Sequence, residues 1–158
     1  MKLRMNLTAL ASLSLLVTSA ASARGGQSGP CSNATIRGEY GYAAEGVLID
    51  NPGLPSEAPF RSVGMTHFDG KRNLKWVEHT VVNGTPLNPG VEWTAASGTY
   101  TVKPNCTGTA VVNTPNSPVP LNFALVVVRN GNEVHTLLDA HAIAAVFTKV
   151  AHSDEGDH

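Results

Sequence analysis

The sequence is short of charge. Only 15% of its 158 residues are Asp, Glu, Lys or Arg, against about 25% in an average soluble domain. Helical bundles need charged outer faces, so this scarcity, with 15 glycines and 10 prolines, argues against one. The formal net charge is −1, so no global field favours nucleic acid or an anionic membrane. Cysteine is down to Cys31 and Cys106, neither in a CxxC pair. Two lone thiols are a poor metal site and carry no redox motif. No HExxH, GxSxG or phosphate-binding loop occurs, so zinc-protease, hydrolase and nucleotide chemistry lack support and no cofactor is implied. What remains is apolar: 42% of the chain, enough to exclude a disordered protein.

The beginning of the chain reads as an address. Lys2 and Arg4 precede an apolar run from Leu7 to Val17, and Ala21-Ser22-Ala23 has the small-residue cleavage pattern. The run is shorter than the roughly 20 residues a bilayer core requires, and no basic stop-transfer cluster follows. Residues 1–23 are therefore expected to be a signal peptide, with no transmembrane anchor and a secreted or periplasmic product. Residues 24–30 read as a flexible leader, 31–150 as one domain and 151–158 as a disordered acidic tail. The two histidines and three acids of that tail fit a solvated terminus better than a cation site. In an oxidising compartment an even cysteine count suggests one Cys31–Cys106 bridge. It would close a loop of about 75 residues, worth about 4 kcal/mol in the chain-entropy model. Two separate reduced, buried thiols are the alternative.

Period-two patterning dominates the domain. Along Thr35 to Ile49, one face carries Ile36, Gly38, Tyr40, Tyr42, Ala44, Gly46 and Leu48, and the other carries Arg37, Glu39 and Glu45. Further strands are expected over Phe60–Asp69, Asn73–Asn83, Val91–Val102, Thr107–Asn113, Leu121–Arg129, Glu133–Asp139 and Ile143–Val150. Asn130-Gly131 reads as a two-residue hairpin. Ala140, Ala142, Ala144 and Ala145 leave a short helix open near the end. Eight consecutive strands with short turns fit a single all-β, eight-stranded antiparallel up-and-down barrel, which closes its own edges. A two-sheet β-sandwich is the competitor. Tyr40, Tyr42, Tyr100, Phe123 and Leu125 are expected inside, and Arg37, Glu39, Glu45 and Lys103 in water. The nearly unbroken apolar run Leu121 to Val128 reads as a strand covered on both faces, by a loop or by a second subunit.

Four segments carry a family resemblance: Cys31-Ser32-Asn33-Ala34-Thr35-Ile36-Arg37-Gly38-Glu39-Tyr40-Gly41-Tyr42, His67-Phe68-Asp69-Gly70-Lys71, Ser97-Gly98-Thr99-Tyr100-Thr101-Val102-Lys103-Pro104-Asn105-Cys106-Thr107-Gly108-Thr109, and Glu133-Val134-His135. In these the chain resembles secreted bacterial proteins whose calycin-like barrel is similar to allene oxide cyclase. The resemblance spans Cys31 to about Val150. It implies an eight-stranded antiparallel barrel with a cavity. It does not imply that enzyme's reaction, and none of its functional residues is carried over.

Candidate chemistry is sparse. Glu133 and His135 share a strand face, and a His/Glu pair in a pocket could transfer protons near neutral pH. Glu78 and His79 are the other polar candidates for a cyclase or isomerase. Each has a bland reading on a solvent face or in a turn. Tyr40, Tyr42, Trp76, Trp93, Tyr100 and Phe123 are expected to line a pocket or fill the core. An eight-stranded barrel either fills with side chains or holds one small ligand. Small inward residues such as Gly38, Ala44 and Gly46 would leave room. The expectation is a secreted barrel binding a small apolar molecule. A cyclase or isomerase, or an interaction module that self-associates through Leu121 to Val128, are the alternatives.

Overall fold

Alternating side chains become alternating burial once the strands pair. The computed structural model describes residues 29–50 and 53–150, so the expected signal peptide and acidic tail, and most of the leader, lie outside the described residues. Nine strands follow in order: β1 (Gly38–Ile49), β2 (Glu57–Phe68), β3 (Asn73–Val82), β4 (Thr85–Pro86), β5 (Thr94–Val102), β6 (Thr107–Asn113), β7 (Leu121–Val128), β8 (Glu133–Leu138) and β9 (Ala142–Lys149). All pairings are antiparallel. Each strand of the ring neighbours the next in sequence, and β9 returns to β1, so eight strands close an up-and-down barrel. The two-residue β4 pairs only with β3 and lies outside the ring. The sandwich alternative is thereby corrected: closure leaves no second sheet to pack.

The inward face is the expected one. Ile36, Tyr40, Tyr42, Ala44 and Leu48 are buried, as are Tyr100 and Leu125, while Arg37, Glu45 and Lys103 are exposed. Glu39 is half-buried, because its carboxylate lies 2.5 Å from the His67 ring beside it. Phe123 is half-buried, since it borders a cavity. On β7 the odd positions turn inward, while Asn122, Ala124 and Val126 face out.

Three local expectations change, and one open point, strand or helix in the Ala-rich segment, is decided for the expected strand. Asn33–Ile36 forms a short 3-10 turn rather than the start of β1. Ser32 N–H donates to Thr35 Oγ1 at 2.9 Å, and Gly38, at φ 128°, swings the chain into the strand. The Ala-rich segment is strand, not helix, because Ile143, Ala145 and Phe147 must alternate into the core; packing overrides alanine's helix preference. β2 begins at Glu57 and includes Pro59, which is tolerated because β3 pairs only from Phe60 onward. Finally, Asn130-Gly131 does not make a two-residue hairpin. Val128 pairs with Glu133, leaving four residues in the turn, and Arg129, Asn130 and Gly131 all have positive φ.

One end of the barrel is stoppered. The 3-10 turn lies across it, with Ile36 fully buried. A disulfide joins Cys31 to Cys106 in the β5–β6 turn, 75 residues away. Asn33 Oδ1 accepts the Val102 N–H at 2.6 Å, and its amide donates to the Lys71 carbonyl. The Tyr100 hydroxyl donates to the Asn33 carbonyl at 3.2 Å and accepts the Gly70 N–H at 2.9 Å. The Tyr40 hydroxyl donates to the Gly131 carbonyl. A ladder of edge-on rings, Tyr40–Phe68 and Phe68–Tyr100, fills the space above.

Candidate functional site

The other end is open. A cavity of about 630 Å³ runs into the barrel between the β1–β2, β3–β5, β6–β7 and β8–β9 connections. That volume is in the range of small-molecule sites. Leu48, Leu54, Phe60, Leu121, Leu138 and Ile143 line its upper walls, and Tyr42, Trp76, Phe123 and Phe147 line it further in. Aromatic contact is continuous there: Tyr42 stacks on Phe147 at 4.8 Å, tilts against Trp76 at 5.8 Å, and Trp76 meets Phe123 edge-on at 5.9 Å.

Why room is left follows from the small residues, although not from all those expected. Ala44 lines the cavity, and Ala145, its partner on β9, lines it too. Gly38 and Gly46 do not border it. A Cβ at Gly46 would fall 1.9 Å from the Ala142 carbonyl oxygen, so this glycine permits close approach of β1 and β9 instead. Gly64, which pairs with Tyr42 across β1 and β2, has the ring-over-backbone role: a Cβ there would lie 2.7 Å from the Tyr42 ring.

One wall is polar, and Glu78 is its centre. β3 turns Trp76, Glu78 and Thr80 inward together. Glu78 is only 6% exposed. Its Oε1 accepts the Thr114 hydroxyl at 3.0 Å and the Asn116 amide at 2.9 Å, and its Oε2 has the Tyr42 hydroxyl at 3.4 Å. Burial pushes the Glu78 carboxyl above its ordinary pKa, while the Thr114, Asn116 and Tyr42 donors pull it back. Burial also raises the Tyr42 phenol, reinforced by the Glu78 charge. Beside them the Ser62 and Thr80 hydroxyls bond each other at 2.9 Å. At the rim, His141 Nδ1 accepts the Ile49 N–H at 3.2 Å.

The other polar candidates lie elsewhere. His79 follows Glu78 and so faces out; its Nδ1–H donates to the Glu92 carbonyl at 2.9 Å, and its ring meets Trp93 edge-on. Glu133 and His135 pair with each other at 2.6 Å on the outer face, with Arg129 at 3.4 Å from Glu133. The pair is real, but it is not in the pocket. Trp93 is 49% exposed and belongs to neither core nor cavity, because β5 starts only at Thr94. Tyr40 and Tyr100 are core residues at the stoppered end, not pocket residues. Sequence reasoning missed Thr114 and Asn116, which sit just past β6 where no periodicity applies. Glu78 had a signal: a carboxylate in phase with Leu74, Trp76 and Val82 on an apolar face.

Among the described residues no group of three or more His, Cys, Asp or Glu is placed to hold a metal ion. Comparison with protein-family models and with curated proteins finds no match.

Proposed function

We propose that this protein binds a small, largely apolar molecule inside the barrel. The observation that carries the reading is the 630 Å³ apolar cavity, open at one end of a barrel whose other end is stoppered. A barrel selected for stability alone would fill that space with side chains, since a void forfeits contact energy. Export to the periplasm or the medium fits the same reading, and the Cys31–Cys106 disulfide supports it. The eight-stranded ring is the fold that the resemblance to allene oxide cyclase-like barrels implies, which supports reading the chain as a relative of that group.

The test is uptake of the neutral dye N-phenyl-1-naphthylamine, read by its fluorescence. The wild type should take up about one dye per chain. Replacing Leu121, on the cavity wall, by Trp puts a ring into the ligand's space and should weaken uptake by about tenfold while the near-ultraviolet circular dichroism stays native. A wild type that leaves the dye dark would sink the reading.

Glu78 favours a second reading, an isomerase or cyclase that uses the cavity as a mould. Of the four polar candidates only Glu78 borders the cavity, so it alone would exchange protons with a bound substrate. Under this reading Glu78→Gln abolishes turnover while dye uptake persists.

A further inference from the structure

We infer that the ligand carries a positive charge: the cavity takes a lipophilic amine, with its ammonium group against Glu78 and its apolar body toward the mouth. The inference rests on the ligand-binding reading above and specifies its chemistry.

Three observations converge on it. The first is the surroundings of the carboxylate. Every neighbour within hydrogen-bond reach offers it a donor. The direction of the Asn116 amide is fixed from behind, because its Oδ1 accepts from the Asn88 side chain, which also donates to Thr94 Oγ1 at 2.8 Å. The N–H of Asn116 must then face Glu78. That amide is a fixed donor, and the Thr114 and Tyr42 hydroxyls can turn to donate with it, so the site can satisfy an ionised carboxylate.

The second is what Glu78 lacks. The ion pairs among the described residues are Arg61–Glu45, His67–Glu39 and the Arg129–Glu133–His135 group, all on the outer surface. Among the described residues, no cationic side chain forms an ion pair with Glu78. Buried charges in proteins are ordinarily paired, since an unpaired one is strongly destabilising. Its Oε1 is occupied by two donors of normal length, whereas Oε2 has the long Tyr42 contact, with the Thr80 hydroxyl also close to the carboxylate. Acceptor capacity is therefore left on the oxygen beside Tyr42.

The third is the shape and lining of the space. Tyr42 and Trp76 line the cavity on the same wall region, and their ring faces attract an ammonium group. Asp50 adds a second acid at the rim. A fatty-acid carboxylate would meet Glu78 as a like charge. An alcohol could donate one hydrogen bond and leave the charge uncompensated.

The experiment displaces N-phenyl-1-naphthylamine from the purified protein at pH 7.5 with decylamine, decyltrimethylammonium, 1-decanol and decanoate. The chain length is constant, so the head group decides the order. Half-displacement by decylamine is expected at a concentration about tenfold below that of 1-decanol, with decanoate weakest. Decyltrimethylammonium, which has charge but no donor, should fall between amine and alcohol. In Glu78→Gln the amine should lose that advantage, while 1-decanol should move by less than about threefold. The inference is overturned if 1-decanol or decanoate matches the amine, or if a folded Glu78→Gln keeps the preference. Should that variant not fold, the wild-type order alone decides. Dye that binds and is displaced equally by all four would overturn the amine and leave the ligand-binding reading standing. Dye that never binds would overturn both.

Discussion

Glu78 is held between opposing forces, burial against the Thr114, Asn116, Tyr42 and Thr80 donors, and burial prevails. Below the ordinary carboxyl pKa of 4.5 it is protonated in both folded and unfolded chains. As pH rises past that value the unfolded chain gives up its proton first, so folding stability falls until the buried group has ionised as well. Glu78→Gln removes that slope. Its melting temperature should match the wild type near pH 4 and exceed it by a few degrees at pH 8, as read by scanning calorimetry. The tyrosines make a second titration. All three are raised by burial, Tyr40 and Tyr100 to about 12 and Tyr42 further. Their stabilising effect is complete below pH 10 and is lost as pH rises toward 12. Native protein at pH 10.5 should show almost no phenolate absorbance at 295 nm, and denatured protein should show three ionising phenols. Interior and exterior also separate by substitution. Tyr40→Ala removes a fully buried ring and should cost about 3–5 kcal/mol, whereas the exposed Glu45→Ala should change stability by less than about 0.5 kcal/mol in urea melts.

At the scale of elements, turn chemistry and strand chemistry differ in how plainly they can be read. Strand β6 appears with the bounds its sequence suggests, and the face assignment of β1 holds at Tyr40, Tyr42, Ala44 and Leu48, because alternation is a local property of the chain. The β7–β8 connection does not yield to local reading. Asn130-Gly131 has the composition of a tight hairpin, yet Gly131 is placed by the 3-10 turn far away in sequence: a Cβ there would lie 2.1 Å from the Thr35 carbonyl oxygen. Glu78 was legible because it breaks an apolar face, and Asn116 was not, because a proline-rich loop carries no period. A pair of glycine substitutions separates the two kinds of constraint. Gly84 has a similar φ, 79° against 84°, but open space around it. Gly84→Ala should cost about 1–2 kcal/mol from backbone strain alone. Gly131→Ala should cost clearly more, because it must also push the 3-10 turn aside, and chemical denaturation will rank them. Reduction of Cys31–Cys106 frees the same turn, with an expected loss of about 4 kcal/mol. Native, unreduced protein should show no reactive thiol.

For the molecule as a whole, the closing pair matters most, because β1 and β9 lie at opposite ends of the domain's sequence and yet complete the ring. Non-local pairing of this kind makes folding slow, so refolding from urea should take milliseconds to seconds rather than microseconds, measurable by stopped-flow fluorescence. Val63, Leu137 and Val146 leave some apolar surface outside, interleaved with Arg61, Lys75 and His135. Inside, the two ends are unlike, and that asymmetry has a kinetic meaning. A barrel stoppered by a disulfide-tied turn is a vessel rather than a conduit: nothing passes through it, and whatever goes in leaves by the way it came. Anything that narrows the rim near Leu54 or His141 without filling the cavity therefore slows loading and unloading by the same factor. Residence time and affinity become separate properties, the one set by the rim and the other by the wall around Glu78.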